Sequence, residues 1–570
     1  MRKAILRNNR TCIIANQGDE GVLAFIERYA TVTQTVKKYT SWAKQPIIQD
    51  EDVPLYEYHW DAGKMRYEFP AGLWNVIPDV TKNAFEIEDL RTNKYPIKLD
   101  RKGDWNYVKK ILQPESGFDL RDDQIVSVMK ILNCRRGIHE SSTGSGKTEI
   151  FSACIKILLQ KYPDMKIMVI EPTDILVKNT CKRLQKYGID AVPYKKTRGE
   201  IKNSVILSHP AVLLNDLAKN PDLLSCIDGV FWDECHHVKA DTWMKLNAGV
   251  REAEYAIGVS ALALEASHKF ETDIKNLSLD EIQIIGATGK LINYVPAGYY
   301  ISRGILAVPV IIQMKVANEL CDKKESDWSV LRSEVIESVE RSYIISDDVE
   351  VFDRYGRKSL ILVGSKSQAN LIAKCLSERH GLAGKIGFAY GQSTCQIIDT
   401  QKYAETVGIA SKIMQESDSI DDSMKEYIRN NPQMAVSDEE FSLCIQKTKK
   451  NTVDLFDEGK LSILIATTVL DEGVDVSMLD TVFLARGGKK DRRIIQQVGR
   501  SLRKSKTGKY AYVIDYVETC NGVLTKHGYD RMAVYKDELQ TPEDRIFRRV
   551  EPGQLENIFL HLEGIQPITK

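Results

Sequence analysis

The stretch that decides the fold is Ser141-Ser142-Thr143-Gly144-Ser145-Gly146-Lys147-Thr148, which stands between an apolar-basic run and a helical pattern over residues 149–160. Its glycines let backbone N–H groups turn inward around an anion, which is the geometry of a phosphate-binding loop. Lys147 would reach the β- and γ-phosphates of a nucleotide, and the Thr148 hydroxyl would hold Mg²⁺. Ser141 occupies the position of the usual first glycine, and a Gly/Ser-rich linker is the alternative interpretation.

A second polar segment, Asp233-Glu234-Cys235-His236, follows an apolar strand predicted at residues 228–232. A carboxylate at the end of a strand can hold Mg²⁺, and an adjacent glutamate can orient the attacking water in phosphoryl transfer. We assign Asp233 to the metal and Glu234 to the water. A solvated Asp-Glu turn is the alternative. Zinc binding by Cys235, His236 and His237 is disfavoured, because contiguous residues on one turn do not converge on one ion.

A third segment, residues 496–503, carries two arginines three positions apart, which places them on one face of a helix. Arg500 and Arg503 could therefore both point at a γ-phosphate, the role called an arginine finger. The apolar strand predicted at 463–466 precedes them and runs into a polar, glycine-containing loop that ends at residue 475. A solvated basic helix face is the alternative interpretation of the two arginines.

Composition indicates an ordinary soluble protein of several domains. The chain has 570 residues, 43% hydrophobic and 28% charged, with a formal net charge of zero, so any polyanion partner must be attracted by local charge. The 11 cysteines lack paired spacing, which predicts reduced thiols in a cytoplasm-like compartment. No apolar run is long enough for a transmembrane helix, so no membrane partner is expected.

The pattern of strands and helices predicts an α/β fold with two doubly wound parallel-sheet domains in tandem. We expect the first at residues 114–300 and the second at 301–535, because apolar strands alternate with helical patterns in both. A nucleotide shared between the phosphate loop of one and the arginines of the other would close a cleft when ATP binds and open it after hydrolysis.

The remaining segments are predicted to be accessory parts. Residues 1–113 form a small α/β module, with a helix over 22–39 and strands at 56–60 and 66–69. Aromatic residues interleaved with lysine and arginine there fit base stacking or core packing equally well. Residues 392–450 lack a clear strand pattern and predict an insertion. It is read as a solvated helical excursion, with a partner-binding or strand-separating element as the alternative. The tail, 536–570, is predicted to pack against a domain.

Taken in order, these segments resemble a superfamily 2 helicase or translocase with two RecA-like domains. The resemblance covers about residues 114–535. Within the group the chain most resembles the UvsW-type phage DNA helicases, which are similar to XPB-type enzymes; the Asp-Glu-Cys-His variant and residues 526–531, followed by Tyr535, carry this finer likeness. The matching segments are residues 120–124, 142–148, 172–176, 233–236, 260–262, 467–475 and 496–503.

The resemblance implies a role for each matching residue. The adenine-side residues would be Arg121 and Gln124, and the phosphate-side residues Ser142, Thr143, Gly144, Ser145, Gly146, Lys147 and Thr148. Residues that close on or face the nucleotide would be Gly473, Asp475, Gln496, Arg500 and Arg503, while His236 would link hydrolysis to movement. Residues that grip the nucleic-acid backbone would be Pro172, Thr173 and Ser208 in the first domain, and Gly364, Ser365, Thr467 and Thr468 in the second. Ser260-Ala261-Leu262 departs from the usual Ser/Thr-Ala-Thr and leaves only Ser260 to couple hydrolysis to motion.

The function implied is ATP-dependent remodelling of branched DNA: branch migration, fork reversal and unwinding of RNA–DNA hybrids, in the cytoplasm of a bacterial host if the chain is phage-encoded. Backbone contacts of this kind predict binding that tolerates any sequence and weakens with salt. The alternatives are an RNA helicase, a motor subunit of a restriction or defence complex that docks through 392–450, and a nucleic-acid clamp that uses ATP as a switch. The intact Glu234 and Arg500 disfavour the clamp.

Overall fold

The computed structural model divides the chain into two compact units, Met1–Val295 and Pro296–Lys570. It describes residues 2–38, 47–61, 64–196, 201–265, 268–271, 273–317, 325–390, 393–417, 419–448, 451–467, 479–488, 510–537 and 541–568. Each unit is built on its own parallel-rich sheet with helices, and the first also carries a small N-terminal α/β module. The predicted fold class is therefore confirmed.

The N-terminal module is a small sheet with one long helix. Its sheet contains β1 (Lys3–Leu6), β2 (Arg10–Asn16), β5 (Glu57–Asp61), β6 (Lys64–Pro70) and β7 (Glu86–Asp89) in the order β5-β6-β2-β1-β7, while β3 (Thr31–Lys38) and β4 (Ile47–Pro54) form a separate hairpin. The helices are α1 (Glu20–Tyr29), α2 (Ala71–Trp74), α3 (Asp79–Lys82), α4 (Trp105–Lys109) and α5 (Gln113–Ser116). The two strands predicted near 56–60 and 66–69 are confirmed as the antiparallel pair β5 and β6.

The helix predicted over 22–39 is wrong in its second half. Asp19 caps α1, because its side chain accepts hydrogen bonds from the N–H groups of Gly21 and Val22, and the helix ends at Tyr29. The chain then continues as β3, whose sequence TVTQTVKK is rich in β-branched residues. Such side chains lose rotamer freedom in a helix and pack well in a strand, so local propensity ends the helix early.

The N-terminal module shares a core with the large sheet of the first unit. Phe25 and Phe69 of the module belong to the same buried cluster as Ile138 and Trp232 of that sheet. A Cβ atom on Gly72 would lie 1.9 Å from the Ile285 carbonyl oxygen, so only glycine permits this close approach.

The large sheet of the first unit has seven strands, all parallel. They are β8 (Arg136–Ser141), β9 (Ile167–Ile170), β10 (Ala191–Pro193), β11 (Val205–Ser208), β12 (Gly229–Asp233), β13 (Tyr255–Ser260) and β14 (Leu291–Val295), in the order β10-β11-β9-β12-β13-β8-β14. The helices are α6 (Asp122–Cys134), α7 (Lys147–Lys161), α8 (Asp174–Lys186), α9 (Pro210–Leu217), α10 (Asp241–Gly249) and α11 (Leu279–Thr288). Fully buried runs such as IMVI in β9 are typical of a sheet covered on both faces.

The sheet of the second unit has nine strands. They are β15 (Val308–Val316), β16 (Ser359–Leu362), β17 (Ile386–Tyr390), β18 (Ser393–Ile398), β19 (Ile445–Lys447), β20 (Ile463–Ala466), β21 (Thr481–Leu484), β22 (Tyr510–Glu518) and β23 (Ile546–Val550), in the order β19-β18-β17-β20-β16-β21-β22-β15-β23. The helices are α12 (Ala297–Ser302), α13 (Trp328–Leu331), α14 (Val339–Arg354), α15 (Lys366–His380), α16 (Thr400–Glu416), α17 (Asp422–Asn430), α18 (Asp438–Leu443), α19 (Thr452–Asp457), α20 (Gly522–Asp537) and α21 (Leu555–Glu563).

The interpretation of 392–450 as a strandless helical excursion is wrong in part. Helices α16 to α18 do lie there, but β18 and β19 flank them and extend the sheet antiparallel from β17. The segment therefore begins and ends within the sheet. The tail contributes β23 to the opposite edge, and Phe559 of α21 is fully buried in the second core, so its predicted packing is confirmed. In the part of the chain that the structure describes, no helix is long and apolar enough to span a membrane.

Candidate functional site

The loop between β8 and α7 has the backbone of a phosphate-binding loop. Gly144 and Gly146 have φ values of 82° and 88°, in the left-handed region that strains any residue with a Cβ. At Gly146 a Cβ would also lie 2.3 Å from Gln124 Nε2. Ser145 N donates to Ser142 O at 3.1 Å and closes the turn between them. Both glycines are therefore required for this loop shape.

The predicted adenine-side residues, Arg121 and Gln124, hold the phosphate loop by hydrogen bonds to its backbone. The Arg121 guanidinium donates to Ser145 O, and Gln124 Nε2 donates to the same oxygen at 3.2 Å. Asp123 orients Arg121 through an ion pair of 3.1 Å, and Gln124 is fully buried. Their contact with adenine stays a prediction, whereas their contact with the loop is direct.

Lys147, Thr148 and Ser142, which are predicted to contact a phosphate, lie in this loop and at the start of α7. Lys147 and Thr148 open α7, and Lys147 Nζ donates to Ser141 O at 3.3 Å. The buried Ser142 Oγ has no hydrogen-bond partner, and no side chain caps α7, among the residues that the structure describes. A cation, an orphaned hydroxyl and free helical N–H groups together suit an anion.

A buried histidine supports the start of this loop. His139 Nε2 lies 3.1 Å from Ser141 Oγ, and its Nδ1 lies 3.1 Å from Asn293 Nδ2. Burial, and next the positive charge of Lys147, lower the pKa of His139 to about 3. The ring is therefore neutral at physiological pH and adds no charge beneath the phosphate site.

The carboxylates of the DECH segment lie at the end of β12: Asp233 is the last residue of the strand and Glu234 follows it. Glu234 has a φ of 47°, an unusual conformation for a residue with a Cβ, and its N–H donates to Asp233 Oδ1 at 2.9 Å. Burial, and next the charge of Glu234, raise the pKa of Asp233, while the charge of Lys147 lowers it. The strand end and the phosphate loop thus lie within electrostatic reach of each other.

Ser260 connects the predicted water-orienting and coupling residues. Ser260 Oγ donates to Glu234 Oε2 at 3.4 Å, and His236 Nδ1 lies 3.1 Å from the same hydroxyl. The N–H of Leu262 also donates to Ser260 Oγ, at 3.1 Å. One hydroxyl at the end of β13 therefore joins the DECH segment to the Ser-Ala-Leu loop.

Two buried glutamates of this site were missed by sequence reasoning. Glu171 follows β9 and is fully buried; burial, and next the charge of Asp233, raise its pKa well above the usual range. Glu140, in β8, pairs with Lys269 at 2.7 Å and accepts a hydrogen bond from Ala263 N at 3.1 Å. Their signal was an acidic residue in or beside an apolar strand run.

The predicted backbone-gripping residues of the first unit meet at one edge of its sheet. Pro172 and Thr173 follow β9, and Thr173 Oγ1 caps α8 by accepting from Leu176 N at 3.3 Å. Ser208 ends β11, and its carbonyl accepts from Glu171 N at 2.9 Å. Parallel neighbouring strands place these residues at the same carboxyl edge, where ligands of such sheets bind.

The corresponding residues of the second unit also follow parallel strands. Gly364 N donates to Gln368 Oε1 at 2.8 Å, and Ser365 caps α15 by accepting from Gln368 N at 3.0 Å. Thr467 follows β20, and its N–H donates to Ala389 O at 3.2 Å. Strands β16, β17 and β20 are neighbours, so these loops share an edge.

Several predicted residues of the second unit lie outside the described residues. They are Thr468, Gly473, Asp475, Gln496, Arg500 and Arg503. Their roles stay predictions from the sequence.

The residues present suit Mg²⁺ only together with a nucleotide. Within the described ranges, no group of three or more His, Cys, Asp or Glu could hold a metal. Thr148 and Asp233 would supply one hydroxyl and one carboxylate, which is the sparse protein contribution that Mg²⁺ accepts when phosphates and water complete its shell.

Two family models match the chain. Residues 117–264 match the type III restriction enzyme res subunit, and residues 392–505 match the helicase conserved C-terminal domain. The first match contains the phosphate loop and the DECH segment, and the second contains the predicted arginines. The two matches support an ATP-dependent helicase or ATPase.

Named relatives and a solved structure agree with this class. A putative helicase of the Sulfolobus islandicus filamentous virus is 23% identical over 70% of this chain and 64% of its own, so the match spans less than two thirds of that relative. The DNA 3'-5' translocase XPB2 of Sulfurisphaera tokodaii is 21% identical over 76% of this chain and 89% of its own. A variant of S. cerevisiae Dbp5 bound to RNA and ADP BeF3 aligns with a TM-score of 0.51 at 15% identity, covering 82% of this chain and 99% of its own, which supports tandem RecA-like domains.

Proposed function

We propose that this helicase is a Mg²⁺-dependent DNA motor of the UvsW and XPB-like group that unwinds or branch-migrates forks, junctions and R-loops. The observation that carries the proposal is the hydroxyl of Ser260, which contacts both Glu234 and His236. The DECH variant and the likeness to the XPB2 translocase support the choice of DNA.

The residues of the first unit suit a hydrolysis step coupled to motion. Lys147 and the N-terminus of α7 would hold the phosphates, and Glu234 would orient the attacking water. Bound Mg²⁺ would neutralise charge on the phosphates. Because Ser260 hydrogen-bonds to Glu234, a change of charge at Glu234 would alter the hydrogen bonds that Ser260 makes with His236 and with the loop after β13. Hydrolysis of the nucleotide would in this way affect the edge of the sheet whose residues would contact the nucleic-acid backbone.

The nucleic-acid track would follow the carboxyl edges of the two sheets. Pro172, Thr173 and Ser208 would grip the backbone in the first unit, and Gly364, Ser365, Thr467 and Thr468 would do so in the second. Main-chain and hydroxyl contacts of this kind reach phosphate and sugar, so we expect little sequence preference.

A strand-displacement assay tests the proposal. A mobile four-way junction, a fork, an R-loop, a linear duplex and an RNA duplex of matched sequence are incubated with ATP and Mg²⁺, with Glu234→Gln as the control that retains the fold. We expect ATP-dependent conversion of the junction, fork or R-loop, and none by the variant. Conversion of the RNA duplex alone, or of no substrate, would contradict a branched-DNA motor.

A second candidate is the motor subunit of a restriction complex, which the res-subunit match over residues 117–264 favours. The segment 392–450 would then be its docking surface. The same assay separates the two functions, because a dependent motor subunit requires its partner, whereas the branched-DNA motor acts alone.

A further inference from the structure

A cleft in the second unit belongs to none of the predicted sites. It has a volume of ≈ 340 Å³ and lies among β15, the end of β22, α20 and β23. Its wall includes Gly528 and Tyr529, which belong to the 526–531 segment that marks the UvsW-type likeness without a role of its own. The charged residues that line it are Lys315, Arg548, Arg549 and Glu551.

A β-bulge turns two successive arginines toward this cleft. Phe547 pairs with Ile312, but Val550 pairs with Met314, so β23 places two residues opposite the single Gln313. Side chains of a regular strand alternate between faces, whereas a bulge redirects one of them. Both Arg548 and Arg549 consequently line the cleft.

Arg549 adopts a backbone conformation that is unfavourable for its residue type. Its φ of 54° lies in the left-handed region, which only two other non-glycine residues occupy within the described ranges, and one of them is Glu234 of the DECH segment. Conformations of this kind cluster at functional sites, where the surrounding structure maintains them.

The cleft offers an exposed ring beside an uncompensated positive charge. Arg548 pairs with Glu543 at 2.7 Å, and Lys315 pairs with Glu551 at 2.8 Å. Across the part of the chain that the structure describes, no carboxylate lies within ion-pair distance of Arg549, which donates instead to the Tyr529 hydroxyl at 3.1 Å. Tyr529 is 58% exposed although it is a large aromatic residue.

We propose that this cleft binds one nucleotide unit, with the base against the Tyr529 ring and the phosphate on Arg549, flanked by Arg548. Aromatic rings stack on any base, and a planar guanidinium matches phosphate oxygens in a bidentate manner. The inference rests on the proposed function in one respect: it takes the unit to be part of a bound nucleic-acid strand. A free nucleotide has the same chemistry and is the other source.

The first arm of the test measures binding of a fluorescent single-stranded oligonucleotide to the full chain, without ATP, at several salt concentrations. Tyr529→Ala should weaken binding about 5-fold or more, whereas Tyr529→Phe keeps the ring and most of the affinity. Arg549→Gln should weaken binding and reduce the slope of log affinity against log salt by about 0.7. Arg545→Gln is the matched control, because Arg545 lies outside the cleft, over the Tyr510 ring.

The second arm measures fluorescent AMP in the Lys147→Ala background, so that the phosphate loop does not contribute. Loss of AMP binding in Tyr529→Ala, with oligonucleotide binding unchanged, supports the cleft as a site for free nucleotide. Unchanged binding of both probes in Tyr529→Ala and Arg549→Gln overturns the proposal. If the parent chain binds no oligonucleotide, the proposed function fails, and the AMP arm still decides the cleft.

Discussion

The two units each contain a buried strand, a short polar loop and a helix, yet the two loops end differently. In the first unit the loop after β8 ends at Gly146, and among the described residues no side chain caps α7. In the second unit the loop after β16 ends at Ser365, whose hydroxyl accepts a hydrogen bond from Gln368 N at 3.0 Å. The first N–H groups of a helix have no partner within it. Those of α7 are therefore available to a ligand, whereas in α15 the Ser365 side chain accepts from one of them.

The lysines that open the two helices differ in the same way. Lys147 lies beside the loop carbonyl of Ser141 and within electrostatic reach of Asp233. Lys366 instead lies over the Tyr390 ring, 5.8 Å from its centroid. One architecture therefore occurs twice, and among the described residues only the first copy carries the groups predicted to bind a phosphoanhydride. The chemistry of such a domain therefore depends on its loops rather than on its fold.

The largest expected effect comes from removing the first lysine. Lys147→Ala should abolish ATP hydrolysis, because the phosphate loop then lacks its cation, while the helix keeps a good helix former at that position. Lys366→Ala is the matched control at the first position of α15 and should keep basal hydrolysis. Steady-state phosphate release measures both. Turnover by the Lys147 variant at the parent rate would refute the assignment of the loop.

The second effect concerns what the second unit contributes to hydrolysis. Arg503→Ala should spare ATP binding but slow turnover roughly a thousandfold, if the arginine stabilises charge in the transition state. Nucleotide affinity is followed with a fluorescent ATP analogue, and turnover by phosphate release. An unchanged kcat would show that Arg503 does not take part in hydrolysis.

A smaller effect tests the capping difference itself. Ser365→Ala removes the cap of α15, which costs about 1 kcal/mol. The first-turn amides of α15 should then exchange hydrogen roughly 5-fold faster by mass spectrometry. In the parent chain, a non-hydrolysable ATP analogue should protect the first turn of α7 and leave that of α15 unchanged. Equal protection of both helices would contradict the distinction.

The last effect concerns stability rather than turnover and compares two buried carboxyls. Asp233 belongs to the predicted ATP site, whereas Asp348 is buried in the second core, where it accepts a hydrogen bond from the Tyr516 hydroxyl at 3.0 Å. Burial raises the pKa of Asp348 to about 8. Folding therefore favours its protonated form, and the associated stability, complete below pH 4, is lost as pH rises toward 8 by up to about 1.4 kcal/mol per unit.

Asp348→Asn should remove this pH dependence. Urea unfolding of both chains at pH 6 and pH 8 measures it, with hydrogen exchange of β22 as a local readout of the second unit. We expect the asparagine variant to gain stability relative to the parent chain as pH rises. A constant difference between the two chains would show that Asp348 is ionised in the folded state.

Most of this architecture could be predicted from local pattern, since the functional loops follow apolar runs. Strands β12 and β20, like β5 and β6 of the N-terminal module, lie where the sequence placed them, within about two residues. Strand β8 of the first unit and strand β15 of the second carry charged or polar residues within their apolar sequences. No strand was predicted at either position. Strands β18 and β19 join the sheet by pairing, β18 with β17 and β19 with β18, and no local pattern reveals these pairings.

The hydrogen-bond and ion-pair partners of the buried polar groups could not be predicted, because they depend on tertiary contacts. From the sequence alone, Glu140 would be expected at the surface. In the fold it is buried, pairs with Lys269 and accepts a hydrogen bond from the N–H of Ala263. Ser260 was assigned to coupling by likeness alone, and only the folded chain gives its two partners, Glu234 and His236. No sequence pattern pointed to Arg549, because its position in the cleft depends on a bulge between β15 and β23, two paired strands that are far apart in the sequence.

The most direct test of the central claim is steady-state ATP hydrolysis with Mg²⁺, measured without polynucleotide and then with single-stranded DNA, duplex DNA, a four-way junction and RNA. We expect low basal turnover, stimulation by DNA and the strongest stimulation by the junction. Turnover that no polynucleotide changes, or that RNA alone stimulates, would contradict it.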